Sequence, residues 1–168
     1  LDVREVRRQI GVVLQNGKLM GGDIFSNIAG TTDLSLEGAW EAARKVGLAE
    51  DIENMPMQMH TMIPAGGGSL SGGQRQRLLI ARAIANQPRI LFFDEATSAL
   101  DNQTQATVSR SLEQLKVTRI VIAHRLSTIR QADRIYVLHL GKVAEEGTYE
   151  QLMANKGTFH QLAVRQLA

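Results

Sequence analysis

The sequence predicts an α/β fold, a parallel sheet of short apolar strands packed among helices, with a helical stretch inserted into it. Two observations carry this. From Ile90 onward, uniformly apolar runs (Ile90–Phe93, Ile120–Ala123) alternate with helical patterns, as strands buried on both faces of a parallel sheet do. Before them, from Asp23 to about Met59, the apolar period is helical and broken only at Thr31-Thr32-Asp33.

Arg8 to Leu14 reads as the first strand, with Ile10, Val12, Val13 and Leu14 as apolar β-formers. Ser35 stands where an N-cap belongs, ahead of Leu36, Ala39, Trp40, Ala43 and Val46 at helical spacing, and Gly47 closes that helix. Pro64 and Gly66-Gly67-Gly68 make a loop. A helix then runs from Gly72 to about Ala85 and stops before Pro88. Further helices follow at Asn102–Leu115 and Leu126–Arg130, flanking a buried strand at Ile120–Ala123. Ile135–Leu138 and Lys142–Glu145 form a hairpin turning at Leu140-Gly141, and helices from Tyr149 and Thr158 finish the chain.

At 168 residues and 43% apolar composition, the chain is one domain with a real core. Nineteen basic and 17 acidic residues are interspersed and leave a net charge of +2, which does not describe a nucleic-acid-binding surface. The absence of cysteine excludes a disulfide framework and a thiolate metal site. No apolar run approaches the roughly 18–20 residues that cross a bilayer. The opening residues lack a signal-peptide layout, and a start on Leu1 without an initiator methionine reads as a cut within a longer polypeptide.

Five features carry chemistry. In Leu70-Ser71-Gly72-Gly73-Gln74, a serine at an N-cap and two glycines open a helix start to an anion; the plainer reading is a capped glycine turn. Ile90–Phe93 ends in the adjacent carboxylates Asp94 and Glu95, at the sheet edge where α/β proteins bind ligands. Asp94 suits Mg²⁺ beside a nucleotide and Glu95 suits polarising a water; the plainer reading is that one of them caps the next helix. His124 ends the strand at Ile120–Ala123 on the same edge, placed to hydrogen-bond a terminal phosphate or to serve structurally. Gln15 ends the first strand in the same way and is in reach of a metal or water. Asp101, after Ser98-Ala99-Leu100, N-caps the helix from Asn102.

In this order the five resemble the nucleotide-binding domain of ABC ATPases, across essentially the whole chain. Gln15 resembles the Q-loop glutamine and Leu70–Gln74 the signature motif. Asp94 and Glu95 resemble the Walker B aspartate and catalytic glutamate, Ser98–Asp101 the D-loop, and His124 the switch histidine. The run His124-Arg125-Leu126-Ser127-Thr128-Ile129 is similar to exporters, and Met57–Thr61 to bacterial exporters of bacteriocin-type peptides. Met62 and Ala65 stand where exporters commonly carry glutamates before the signature.

The resemblance implies a P-loop NTPase-type parallel sheet, incomplete here, with a helical signature subdomain over residues 23–85 of a single domain spanning 1–168. ATP and Mg²⁺ are the implied ligands. Glu95, His124 and Gln15 are implied in catalysis, Asp94 and Gln15 at the metal, and Ser71, Gly72, Gly73, Gln74 and Asp101 at the nucleotide. The implied partners are a transmembrane domain and a second nucleotide-binding domain, as a homodimer at the cytoplasmic face of a bacterial inner membrane, with no nucleic acid.

No G-x-x-x-x-G-K-[S/T] occurs in the 168 residues. Family architecture places that loop before Leu1, and its feeding strand beside the strand that ends at His124. The resemblance therefore implies an exposed edge at Ile120–Ala123. Two other readings stand beside the exporter: a soluble ABC ATPase of the DNA-repair or translation type, and, for these residues alone, a non-catalytic dimerisation module.

Overall fold

The computed structural model describes residues 2–94, 100, 102–123 and 126–167, with the backbone alone at 102, 103, 127, 166 and 167. The chain forms two compact units, Leu1–Ile122 and Ala123–Ala168. In chain order the first holds α1 (Val3–Arg8), β1 (Ile10–Val13), β2 (Gly22–Asp23), α2 (Ile24–Ala29), α3 (Leu36–Lys45), α4 (Ala49–Glu53), a 3-10 turn at Gln58–His60, β3 (Met62–Ile63), α5 (Gly72–Ile84), β4 (Ile90–Asp94), α6 (Asn102–Gln114) and β5 (Thr118–Ile122).

Arg8, expected in the first strand, instead ends α1. Asp2 caps that helix by accepting from the Arg4 amide at 2.9 Å, and Glu5 pairs with Arg8 at 2.9 Å. No residue of α1 is buried, so no apolar period announces it. The sheet is parallel in the order β1-β4-β5, with Val13 opposite Phe93 and Asp94 opposite Ile122. Side chains alternate across it: Val13, Leu91 and Phe93 are buried in one core with Leu78, Ile80 and Ile84 of α5 and Val108 and Leu112 of α6. Gly11 permits the close approach of α5, because a Cβ there would meet Ala83 O at 2.4 Å.

The opposite face departs from the expected two-sided cover. Val12, Phe92, Ile120 and Ile122 stand exposed, Ile122 at 58%. Every residue of β5 is exposed, and β5 has no strand on its outer side among the described residues. The buried strand read at Ile120–Ala123 is thus an edge. A run of β-branched residues reports strand propensity, whereas burial depends on neighbours supplied from elsewhere.

The helical stretch shares the first unit's core. Ile24, Ile28, Ala39, Ala43, Val46, Leu48 and Ile52 are all buried. Ser35 caps α3 by accepting from the Gly38 amide at 3.1 Å, and Gly47 follows its end at φ +67. A short antiparallel pair, Gly22 with Ile63 and Asp23 with Met62, ties the start of α2 to the segment leading into α5.

The second unit comprises α7 (Leu126–Ile129), the hairpin β6 (Ile135–His139) and β7 (Lys142–Gly147), α8 (Tyr149–Ala154) and α9 (Thr158–Leu167). Leu140 and Gly141 turn the hairpin at φ +48 and +75, the double positive that a tight two-residue connection demands. Its small core is Val137, Leu152, Phe159 and Ala163, with Tyr149 set edge-on to Phe159 at 5.8 Å.

Candidate functional site

The start of α5 is organised by a reciprocal cap. Ser71 has extended backbone, and its Oγ accepts from the Gln74 amide at 3.1 Å while Gln74 Oε1 accepts from the Ser71 amide at 3.0 Å. Arg75 N–H donates to Ser71 O at 2.9 Å and begins the intrahelical ladder. The amides of Gly72 and Gly73, in the first turn, have no intrahelical acceptor. A side chain at Gly72 would meet nothing within 4 Å, so this helix start is open to solvent. Two free amides, the Ser71 hydroxyl proton and the positive dipole end form an anion-accepting cluster.

That start is anchored from α4. Gln74 Nε2 donates to Asp51 Oδ1 at 2.8 Å, and Arg77 Nη1 pairs with Asp51 Oδ2 at 2.9 Å. Arg77 also donates to the carbonyl oxygen of Gly47. Both ends of the Gln74 amide are therefore engaged in holding the turn. Asp51 is a residue that sequence reading passed over: it lies 23 positions from Gln74, beyond any local spacing rule.

On the sheet, Asp94 is the half-buried last residue of β4, and Gln15 follows β1 by two positions. The parallel register sets Val13 beside Phe93, so both residues leave the same end of neighbouring strands. An open cleft of about 680 Å³ lies between the chain after β1 and the start of α5, lined by Gln15, Asn16, Lys18, Gly66, Gly72 and Arg75 among others. Its lining includes two cations and no carboxylate, which favours negative charge. Ala65 lines this cleft too, and Met62 is exposed. Asp94 and Gln15 offer a carboxylate and an amide oxygen, a hard-oxygen set suited to Mg²⁺ shared with phosphates. Among the described residues no three acidic or histidine side chains cluster as a self-sufficient metal cage. The predicted residues Glu95, Asp101 and His124 lie outside the described residues, as does Ser98.

Comparison with known proteins identifies the family. A family model described as ABC transporter matches residues 1–98, more than half of the chain. The chain is 46% identical over 165 residues to the exotoxin translocation ATP-binding protein PaxB of Pasteurella aerogenes, covering 96% of this chain and 23% of that protein. It is also 46% identical over 165 residues to the ATP-dependent lipid A-core flippase of Chromobacterium violaceum, covering 96% and 28% respectively. With the alpha-hemolysin translocation ATP-binding protein HlyB of Escherichia coli O157:H7 it shares 43% identity over 162 residues, 95% of this chain and 23% of that one. The chain spans about a quarter of the length of these relatives. A solved bacterial Atm1-family ABC exporter with ATP bound superposes with a TM-score of 0.92 at 38% identity, over 96% of this chain and 29% of that one. The α/β architecture, the capped glycine start of α5 and these matches together place the chain in the ABC transporter family.

Proposed function

We propose that this chain is the ATP-binding and ATP-hydrolysing domain of an ABC exporter, a single domain over 1–168 with a helical signature subdomain at 23–85. The observation that carries the proposal is the open, cap-locked start of α5. It supports a reading in which Ser71, Gly72 and Gly73 receive the phosphates of an ATP held mainly by a second copy of the domain. The signature resemblance supplies the choice of ligand. The phosphate-cradling loop that the family requires is absent from these 168 residues and belongs, in this reading, to the parent polypeptide.

Asp94 and Gln15 would hold Mg²⁺, which when bound offsets phosphate charge. In this reading Glu95 takes the proton of the attacking water, His124 hydrogen-bonds the transferred phosphoryl group, and Asp101 serves in binding the nucleotide. Closure of two such domains on ATP, and their opening after hydrolysis, drives an attached transmembrane domain at the cytoplasmic face of a bacterial membrane. Among the described residues no helix is long and apolar enough to cross a membrane, so the spans lie elsewhere in this reading.

A polypeptide is the proposed cargo: Met57–Thr61 resemble exporters of bacteriocin-like peptides, and two of the relatives above are named for translocation of an exotoxin and of alpha-hemolysin. A lipid cargo is the second reading, favoured by an equal identity to a lipid A-core flippase. Peptide-stimulated against lipid-stimulated turnover in proteoliposomes separates them.

Gly72→Asp in the complete transporter tests the site. The side chain has room, so the fold persists, but its charge opposes phosphate. Turnover falls by roughly 100-fold with the melting temperature unchanged. Full turnover would overturn the assignment.

A further inference from the structure

Arg82 lies eight residues beyond Gln74 on α5 and is partly buried, and removal from water lowers its guanidinium pKa. Its Nε donates to Asn27 O at 2.6 Å, Nη2 to Asn27 Oδ1 at 2.6 Å, and Nη1 to Lys18 O at 3.4 Å. These acceptors are neutral, although burying a cation beside neutral partners is costly. Neither a single ammonium nor a neutral amide can replace what the fork does, because a planar guanidinium reaches two chain segments at once.

Asn27 is wholly buried and completes the fastening. Its Oδ1 also accepts from the Met20 amide at 3.0 Å, and its Nδ2 donates to Met20 O and Asp23 O, both at 3.0 Å. Asn27 therefore grips both backbone groups of Met20 as a neighbouring strand would. The Gly66 amide adds a bond to Leu19 O at 3.0 Å, and the Leu19 side chain is buried in the core. Lys18–Met20, the chain just after Gln15, is in this way tied to α2, to α5 and to the loop before the signature.

We infer that Arg82 is a positioning residue that makes the segment after Gln15 and the helix α5 move as one piece, linking a domain's own nucleotide to the nucleotide its signature receives. This rests on the roles proposed for Gln15 and Ser71. Ser71 and Arg82 are 11 residues apart on one helix, about 16 Å at 1.5 Å per residue. A displacement of Gln15 toward its nucleotide is passed through Lys18 and Asn27 to Arg82, and along α5 to the cap at Ser71.

The test is a double-mutant cycle in the complete transporter, reconstituted in proteoliposomes, with Arg82→Lys, Gln15→Ala and the pair. Turnover is followed against ATP concentration and the melting temperature is recorded. Arg82→Lys is expected to fold, lower kcat about tenfold, leave KM within about threefold and reduce the Hill coefficient for ATP. The double variant turns over no more slowly than Gln15→Ala alone, since both act through one segment. Multiplying effects overturn the inference, as does a drop confined to melting temperature. Full turnover in Gln15→Ala overturns the Gln15 assignment, and the inference with it. Impaired Gln15→Ala with independent Arg82→Lys overturns the inference alone. Should Arg82→Lys not fold, Arg82→Gln, which retains one planar donor pair, enters the same cycle.

Discussion

Gln74 Nε2 lies 2.8 Å from Asp51 Oδ1, so the last residue of the Leu70–Gln74 pentapeptide is held by α4. The other carboxylate oxygen is paired with Arg77 at 2.9 Å. Asp51 thus secures one helix turn through two donors and neutralises its own charge beside a helix start that favours anions. Asp51→Ala leaves Gln74 and Arg77 without this acceptor and should cost about 1–3 kcal/mol in urea unfolding of the parent domain. Asp51→Asn keeps an oxygen for Gln74, loses the ion pair and should cost less. Equal losses in the two variants would show that the Gln74 contact adds nothing.

Glu95→Gln in the complete transporter should retain ATP binding and nearly abolish hydrolysis, since the amide keeps the shape and cannot accept a proton. Nucleotide-binding and phosphate-release assays on one preparation check both halves. His124→Ala should also lower turnover, through a lost phosphate contact. Hydrolysis at the parental rate in either variant removes that residue from the mechanism.

A polypeptide of these 168 residues alone should not turn over ATP, because it contains no loop of the kind that cradles phosphates. A coupled assay giving about 1 s⁻¹, an ordinary enzyme rate, would refute this. The same polypeptide should self-associate through β5, whose outer edge is unpaired among the described residues and whose exposed Ile120, Val121 and Ile122 recruit strands. Sedimentation showing only an 18.5 kDa monomer with a cooperative melt would count against it.

Asp23 caps α2 by accepting from the Ser26 amide at 2.8 Å and pairs with His60 Nδ1 at 3.0 Å. Burial opposes its ionisation, but the Ser26 hydrogen bonds and His60 outweigh burial and hold the carboxyl below its ordinary value. A depressed carboxyl stabilises the fold above its unfolded pKa of about 3.9, and that stability is lost as pH falls through the folded value. Asp23→Asn keeps a capping oxygen and should flatten the acid limb below about pH 4. Urea midpoints from pH 3 to 7 would show it; an unchanged limb would mean that other carboxylates govern acid unfolding.

Local chemistry was legible in the sequence, and long-range chemistry was not. The caps at Ser35 and Ser71 and the turn at Leu140-Gly141 were readable because each rests on a few adjacent residues. α1 escaped because it buries nothing, and β2 and β3 because two residues carry no period. The exposure of β5 could not be read from Ile120–Ile122 themselves, since apolar β-branched residues look alike at a sheet's centre and at its edge. For the site, the strand-end placement of Gln15 and Asp94 followed from apolar runs ending in polar residues. Asp51, Asn27 and Arg82 had no such signal, because their partners lie 23 and 55 positions away along the chain.

Gly11 gives α5 its footing. With Ala83 O only 2.4 Å from where a Cβ would sit, and Leu91 Cδ2 2.6 Å away, the far end of α5 rests on bare backbone. The far end of α5 is thus seated on position 11, while its start at Ser71 is held from α4 through Asp51. One added methyl must lift the seat or shift β1, and either changes the tilt of the helix start proposed to receive phosphate. On the function proposed above, the size of the side chain at position 11 sets the aim of the Ser71 helix start, and Gly11→Ala is a way to mis-aim it without touching Leu70–Gln74.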